Sequence, residues 1–446
     1  MNQLKAGFGR AVITPKLGVL LRGYFKPRAA EGVMDDLEVN VLALSAQNTK
    51  SLLISVDNCG LVTAFINECR EGISKETGVP VQNIIIGSTH THTAPETRTG
   101  SDNPLVEEYT LFLFEKMKEA VRTALADLVE AKMGYGVGEA KNISFPRRYL
   151  MKDGSVKTNP GVKNPDIVRS IGALDERVSV LRFDRTDGKQ IIFVNFATHP
   201  DVVGGSKVSA DWPGLLRGVV EKTIDNSSCI FFNGALGDVN HVNVCPEGGD
   251  FNGLINDFDD VPRGYAHARH MANVITGGVL QCYEKVNFVD VDKIIAREIN
   301  VKVPSNMPKP EDMEEAYKIN ALHKEGRDDE IPYSGMMLTT VVAEAARMIR
   351  LEHGPEYFEM PMTGLRLGPV ALVTIPGEGF TGIGLGLKQC DKHKLVIPLG
   401  LSNAYEGYFP MQDSYDEGGY EARSSSFKAG SAEHLIEEGL TMLKSL

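Results

Sequence analysis

Three of the chain's ten histidines stand where apolar runs stop. In NIIIGSTHTHTAP, residues 83–95, an apolar run leads directly into His90 and His92. Positions i and i+2 of an extended chain face the same way, so both imidazoles could serve one centre. QIIFVNFATHP, residues 190–200, repeats the arrangement with His199 ahead of Pro200. Reactive groups of α/β proteins collect at strand ends, and two such ends delivering histidine point to a shared metal or acid–base site. Taken alone, the THTH turn could equally be two surface histidines. A cation held by imidazoles also calls for negative charge, and PVALVTIPGEGF, residues 369–380, supplies Glu378 just past another apolar run.

Other segments carry a functional and a structural reading side by side. GEGFTG at 377–382 fits the GxGxxG pattern of a dinucleotide loop. Its second position is an acid that a pyrophosphate would repel, so tight backbone packing explains the glycines better. Residues 401–425 contain Tyr405, Tyr408, Tyr415 and Tyr420. Tyrosines in a glycine-rich loop pack at a rim, but they can also ligate a metal or donate to an oxyanion. Asp211 stands before the only tryptophan and a Pro-Gly turn and Asp238 follows a Gly-Ala-Leu-Gly turn, places where an aspartate either orients a ligand histidine or caps a helix or turn. Arg147 and Arg148 lie in a polar loop at 146–161, as a clamp on a carbonyl or anion or as solvated charge. His241 is an outside candidate, and His267 and His270 are spaced for one helix face. His323, His353, His393 and His434 sit among charged residues and are expected at the surface. The chain has no GxSxG, HExxH or HxHxDH element.

The elements that must position these residues are legible as short β-branched runs at 39–45, 51–57, 83–89, 178–183, 190–198, 229–235, 369–376 and 394–400. Several are apolar on both faces, as strands buried inside a layered structure are. Helical periodicity covers 104–131, 310–326, 338–354 and the last residues, 432–446. The irregular mixture predicts a mixed α/β class, with β-sheets flanked by helices. Without a long polar linker or an internal repeat, residues 1–446 read as one catalytic domain, with room for a helical insertion at 305–355.

Composition narrows the function classes. Lys plus Arg number 47 against 59 Asp plus Glu, a net charge of −12 that disfavours a phosphate backbone as partner. Nucleic acid is therefore not expected. No apolar run reaches the 18 or so residues of a spanning helix, and the opening residues have no signal-peptide core. Six cysteines without paired spacing read as reduced, buried thiols. These features predict a cytoplasmic protein, or a secreted one had a leader been removed.

The segments in order resemble the neutral/alkaline (non-lysosomal) ceramidase family. They are AGFGRAVITP, GY with RAAEGVMDDL, SVDNCG, STHTHTAP, RRYLMKDG, VLRFD, VNFATHP, SADWPG, NGALGDVN, IPGEGF, SNAYEGY and YEA, spread over residues 6–422. The resemblance implies a zinc-dependent (Zn2+) amide hydrolase and a place in lipid metabolism. It implies zinc held by His90, His199, Glu378 and a tyrosine, Tyr408 with Tyr405 as the fallback. His92, Arg147 and Tyr420 would then face the substrate and polarise its carbonyl.

Two departures qualify the carry-over. Asn240 stands where the family often has serine, and the sequence ends soon after YEA, without the family's C-terminal β-sandwich. The expected partner is thus a small-molecule or lipid-like N-acyl substrate, ceramide-like or smaller, whose acyl and amine parts stay open. Rival readings are an esterase or lactonase on the same zinc site, a nucleotide-dependent oxidoreductase using 377–382, and a non-catalytic metal-binding protein. Sequence leaves the oligomeric state open.

Overall fold

Buried side chains alternate along the central strands and divide them into two faces. In the strand Glu38–Ala46, Val39, Val41 and Ala43 pack into one cluster and Leu42 and Leu44 into another. The same period of two separates Ile192 and Val194 from Ile191 and Phe193 in Gln190–Phe196. Both faces are apolar, so the sheet must be covered twice. The computed structural model describes residues 4–246, 255–256 and 262–446.

The large sheet runs in the order Ser227–Asn233, Gln190–Phe196, Arg177–Arg185, Val129–Glu139, Lys5–Val12, Glu38–Ala46, Thr49–Val56, Ile84–Ser88, with Asn287–Val289 also paired to Val129–Glu139. Pairing is parallel only at its two ends, between Gln190–Phe196 and Ser227–Asn233 and between Thr49–Val56 and Ile84–Ser88. Helices Thr63–Thr77 and Pro104–Ala126 cover one half of the outer face, and Asp211–Thr223 and Tyr265–Tyr283 the other. The inner face packs on a four-stranded sheet, Ile294–Pro304, Tyr357–Leu367, Val370–Thr374 and Leu395–Leu399. Helices Thr381–Leu387 and Ser431–Ser445 close its far side. The layers run helix, sheet, sheet, helix, which is the mixed class that the sequence pattern predicts.

Two helices, Met313–Lys324 and Gly335–Leu351, pack on each other between the paired strands Ile294–Pro304 and Tyr357–Leu367. The helix expected over 104–131 stops at Ala126. Asp127 ends it, because its carboxylate accepts from Phe8 N at 3.0 Å and pairs with Arg185, tying the turn to the sheet. From Val129 the chain is a strand. Of the six free thiols five are buried, and Cys245 is exposed against expectation. His393 is also buried rather than exposed, its Nε2 2.9 Å from the Leu443 carbonyl.

The large sheet curls until its two parallel ends meet. Ser55 Oγ donates to Phe231 O at 2.6 Å, across strands at opposite ends of the order. Asn233 Nδ2 donates to both Thr89 O and Thr198 O at 3.2 Å, so one amide ties the turn before His90 to the turn before His199. Beneath the first turn, buried Asp57 accepts two bonds from Arg217 (2.9 and 2.5 Å), one from Glu38 N and one from Thr89 Oγ1. Removing one partner of a buried ion pair leaves an uncompensated charge. Asp57→Asn is therefore expected to cost about 3–5 kcal/mol of unfolding free energy, measured by urea denaturation; a loss below about 1 kcal/mol would show the pair to be unimportant to the fold.

Candidate metal and catalytic site

The strand Ile84–Ser88 ends two residues before His90, and there the backbone turns sharply. His90 has φ of 78°, the left-handed region that costs a non-glycine residue roughly 1–2 kcal/mol. Its N–H donates to Asn58 O at 2.8 Å, which helps hold the strained conformation. His90 and His92 therefore share a face by a turn and not by extended spacing. Their Nε2 atoms lie 3.4 Å apart.

His199 and Glu378 arrive from other strand ends. Glu378 Oε2 lies 3.3 Å from His90 Nε2 and 3.1 Å from His199 Nε2. Ligand atoms of the three residues all fall within 4.8 Å of one another, and all three residues are buried. The opposite ring nitrogens are committed to backbone. His199 Nδ1 sits 2.8 Å from Leu236 O and 3.1 Å from Val239 O, and His90 Nδ1 bonds Cys59 O. A carbonyl can only accept, so each Nδ1 carries hydrogen and each Nε2 can present a lone pair inward. Two imidazole lone pairs and a carboxylate oxygen converging on one point form a donor set that fits a zinc-type cation.

The charge in the cluster is set by Glu378 and its neighbours. Burial disfavours charge on His90, but the Glu378 carboxylate and Cys59 together outweigh it and raise the imidazole to about 10, so at neutral pH its Nε2 holds a proton that a cation would have to displace. Burial likewise opposes the Glu378 charge, and His90 and His199 reverse that, holding the carboxyl well below its ordinary range. Burial and the Arg147 charge lower His199. Desolvation and neighbouring His90 keep His92 well below the usual imidazole value, hence neutral.

The tyrosine loop surrounds this cluster. Tyr405 donates to Glu378 Oε1 at 2.8 Å, on the oxygen turned away from the imidazoles. Tyr408 pairs with Glu378 in a two-residue parallel ladder, and its ring lies nearly parallel to that of His199, centroids 6.5 Å apart. Tyr420 packs edge-on to Tyr408 at 5.6 Å. Tyr415 lies elsewhere, its hydroxyl donating to Phe427 O at 2.6 Å.

Both arginines of the RR pair are buried, which overturns the solvated-charge reading. Arg147 reaches the site: Nε bonds Glu421 at 2.6 Å, Nη2 bonds Gly237 O at 2.8 Å, and Nη1 lies 3.3 Å from His199 Nε2. Arg148 turns away to Ser414 Oγ and Gly418 O, with Glu417 at 3.0 Å. Asp211 and Asp238 both hold backbone N–H groups. Asp211 accepts from Val203 N and Trp212 N, and Asp238 from Thr381 N and Oγ1. His241 lies beside Asp201 at 3.2 Å and near the His267 ring, apart from the three-residue donor set. Asn240 is buried and accepts from Val242 N at 3.0 Å.

The 377–382 loop has no space for a pyrophosphate. A Cβ on Gly377 would sit 2.5 Å from Gly407 O, and one on Gly379 2.8 Å from the Ile375 side chain. The glycines permit close packing, and the acid between them joins the histidines. Sequence reasoning missed Glu421, the buried partner of Arg147, and Asn233, the bridge between the two histidine turns. Glu421 lay inside a quoted motif, but nothing in its spacing marks it as buried.

Gly237 shows how tight the seam is: an added Cβ would lie 2.4 Å from Glu378 O. Its N–H also donates to Gly379 O at 2.8 Å. Gly237→Ala should push the Glu378 backbone away, costing about 1–3 kcal/mol of stability. It should also lower zinc affinity more than tenfold in competition with a chromophoric chelator. Wild-type affinity in a folded variant would contradict this placement.

No protein-family model matches the sequence, and no curated protein matches it. Solved structures do match in fold, two ceramidases among them. One is described as neutral ceramidase from Pseudomonas aeruginosa, with TM-score 0.74 and 17% identity over 100% of this chain and 75% of that one. The other is described as a ceramidase complexed with C2, with TM-score 0.73 and 16% identity over 100% of this chain and 76% of that one. Superposition at this level over the full length establishes that the chain has the neutral ceramidase fold.

Proposed function

We propose that the protein is a zinc-dependent hydrolase that cleaves the C–N amide bond of an N-acyl substrate. The observation that carries the reading is the convergence of His90 Nε2, His199 Nε2 and Glu378 Oε2, with both Nδ1 atoms engaged by backbone carbonyls. Tyr408, in register with Glu378, is the proposed fourth donor, and Tyr405 steadies Glu378 from behind. The amide assignment draws on the solved neighbours, both described as ceramidases. Among the described residues no helix is long and apolar enough to cross a membrane. Six unpaired thiols fit a reducing, cytoplasmic setting.

Zinc bound at these residues would supply a water acidified to about neutral pKa and a polarising charge for the carbonyl. The chain's own groups do the rest. His92, neutral and at the edge of the cluster, can accept a proton at a ring nitrogen and return it to the leaving amine. Arg147, fixed by Glu421 and Gly237 O, and Tyr420 are placed to donate to a carbonyl oxygen as it gains charge. An ester would meet the same groups, but an amine leaving group needs the proton that His92 can provide.

Metal content by mass spectrometry tests the centre. Protein purified without added metal should carry about one zinc per chain, and His199→Ala should lose it together with activity. His92→Ala should retain zinc while kcat on an N-acyl amide falls by about 100-fold or more. Metal loss in that variant would make His92 a ligand. Failure to take up zinc even on reconstitution would overturn the hydrolase reading.

A further inference from the structure

Two connected cavities open onto the site, and they differ in charge. The larger, about 620 Å³, touches His90, His92 and Glu378 and is walled by Arg22, Arg347 and Arg350. The smaller, about 400 Å³, shares His92, Tyr408 and Tyr420 and has Met336, Leu338 and Val342 on its wall. In the smaller cavity, whose wall also carries Arg28 and Asp201, Lys26 pairs with Asp328 at 3.3 Å, and Arg147 pairs with Glu421. Among the described residues the three arginines of the larger cavity have one ion-pair partner, Glu344 at 3.9 Å from Arg347.

Arg22 donates to Gly60 O at 2.7 Å and lies 4.9 Å from the Tyr405 ring centre; it forms no ion pair among the described residues, but against its burial Tyr405, Cys59, Glu96 and Glu378 nearby raise its guanidinium. Arg350 bonds only the Ser426 hydroxyl. Arg347 is buried, with Nε on Arg423 O at 3.0 Å and Nη1 on Asn306 O at 2.6 Å. Its nearest acid, Glu344, is 3.9 Å away and already pairs with Arg423. Burial, with Arg350 and Arg423 nearby, pushes the Arg347 guanidinium below its ordinary value. Of the acids on this wall, Glu378 faces the imidazoles and Glu406 accepts from Thr63 Oγ1. Carbonyl oxygens satisfy N–H groups but leave net charge in place, and uncompensated charge in a cleft favours an anionic ligand. The excess is local, in a chain whose net charge is −12. Arg347 and Arg350 come from the helix Gly335–Leu351, inserted between two paired strands, whereas Arg22 stands over Tyr405, beside the donor cluster.

We infer that the larger cavity selects N-acyl substrates carrying a carboxylate, received by Arg22, Arg347 and Arg350. This rests on the amidase reading and specifies its substrate class. The carboxylate could sit on the amine side, as in an N-acyl amino acid, or on the acyl side, as in a dicarboxylic acid monoamide. Guanidinium–carboxylate hydrogen bonds discriminate strongly against a neutral replacement.

Zinc-loaded enzyme should be assayed on N-octanoylglycine against N-octanoylglycinamide, and on N-butylsuberamate against N-butyloctanamide. At least one carboxylate substrate should exceed its neutral partner in kcat/KM by about tenfold or more. Arg350→Gln, at an exposed helix position, should reduce that ratio several-fold, and the pair that responds identifies the side. Ratios at or below one in both pairs would overturn the inference while leaving the amidase reading intact. Cleavage of none of the four would count against the amidase reading. Calorimetric binding of N-octanoylglycine against N-octanoylglycinamide then decides the charge question: tighter carboxylate binding that weakens in Arg350→Gln supports it, and equal binding overturns it.

Discussion

Burying a carboxylate away from water is costly unless its charge is met by a partner, and Glu378 is buried at the seam where two sheets join. The cost is offset by the His90 imidazolium and by a phenol on the outer oxygen, with His199 brought beside them from a separate strand end. Each partner is then fixed in turn by backbone carbonyls or a neighbouring loop. The site is a chain of such compensations, with Glu421 neutralising Arg147 and Asp57 neutralising Arg217 beneath the first histidine turn.

Curling of the large sheet is what allows this compensation. A parallel pair at each end runs into a histidine turn, and curvature brings the two turns within reach of one asparagine amide. The four-stranded sheet then delivers Glu378 from the layer below, through a loop so tight that glycine is required on both sides of it. The strained backbone at His90 belongs to the same economy of space. Roughly 1–2 kcal/mol of left-handed strain is held by the surrounding bonds and sets the imidazole facing the carboxylate.

In the proposed reading the fold separates reaction from selection. The metal-donor candidates stand on strand ends and short loops anchored in the two-sheet core. The inserted helix Gly335–Leu351 brings Arg347 and Arg350 to the cavity wall without touching the donor cluster. A wall of this kind can change its charge at little cost to the centre beneath it.

Much of this was legible in the residues. Strand runs ending in His90, His92, His199 and Glu378 were visible as β-branched stretches stopping at polar residues, because burial on both faces leaves a continuous apolar signal. Edge and half-exposed strands such as Ile294–Pro304 gave no such signal, since charged residues interrupt them. Local pattern also misjudged Arg148 and His393, whose polar neighbours in sequence are not their neighbours in space. By itself the sequence determined which residue types end which strands, and hence the candidate donors. Only the tertiary structure decided that three of them meet at one point, that Arg147 is buried against Glu421, and that three arginines line one cavity wall. Those outcomes depend on contacts between segments up to hundreds of residues apart, and no local periodicity encodes them.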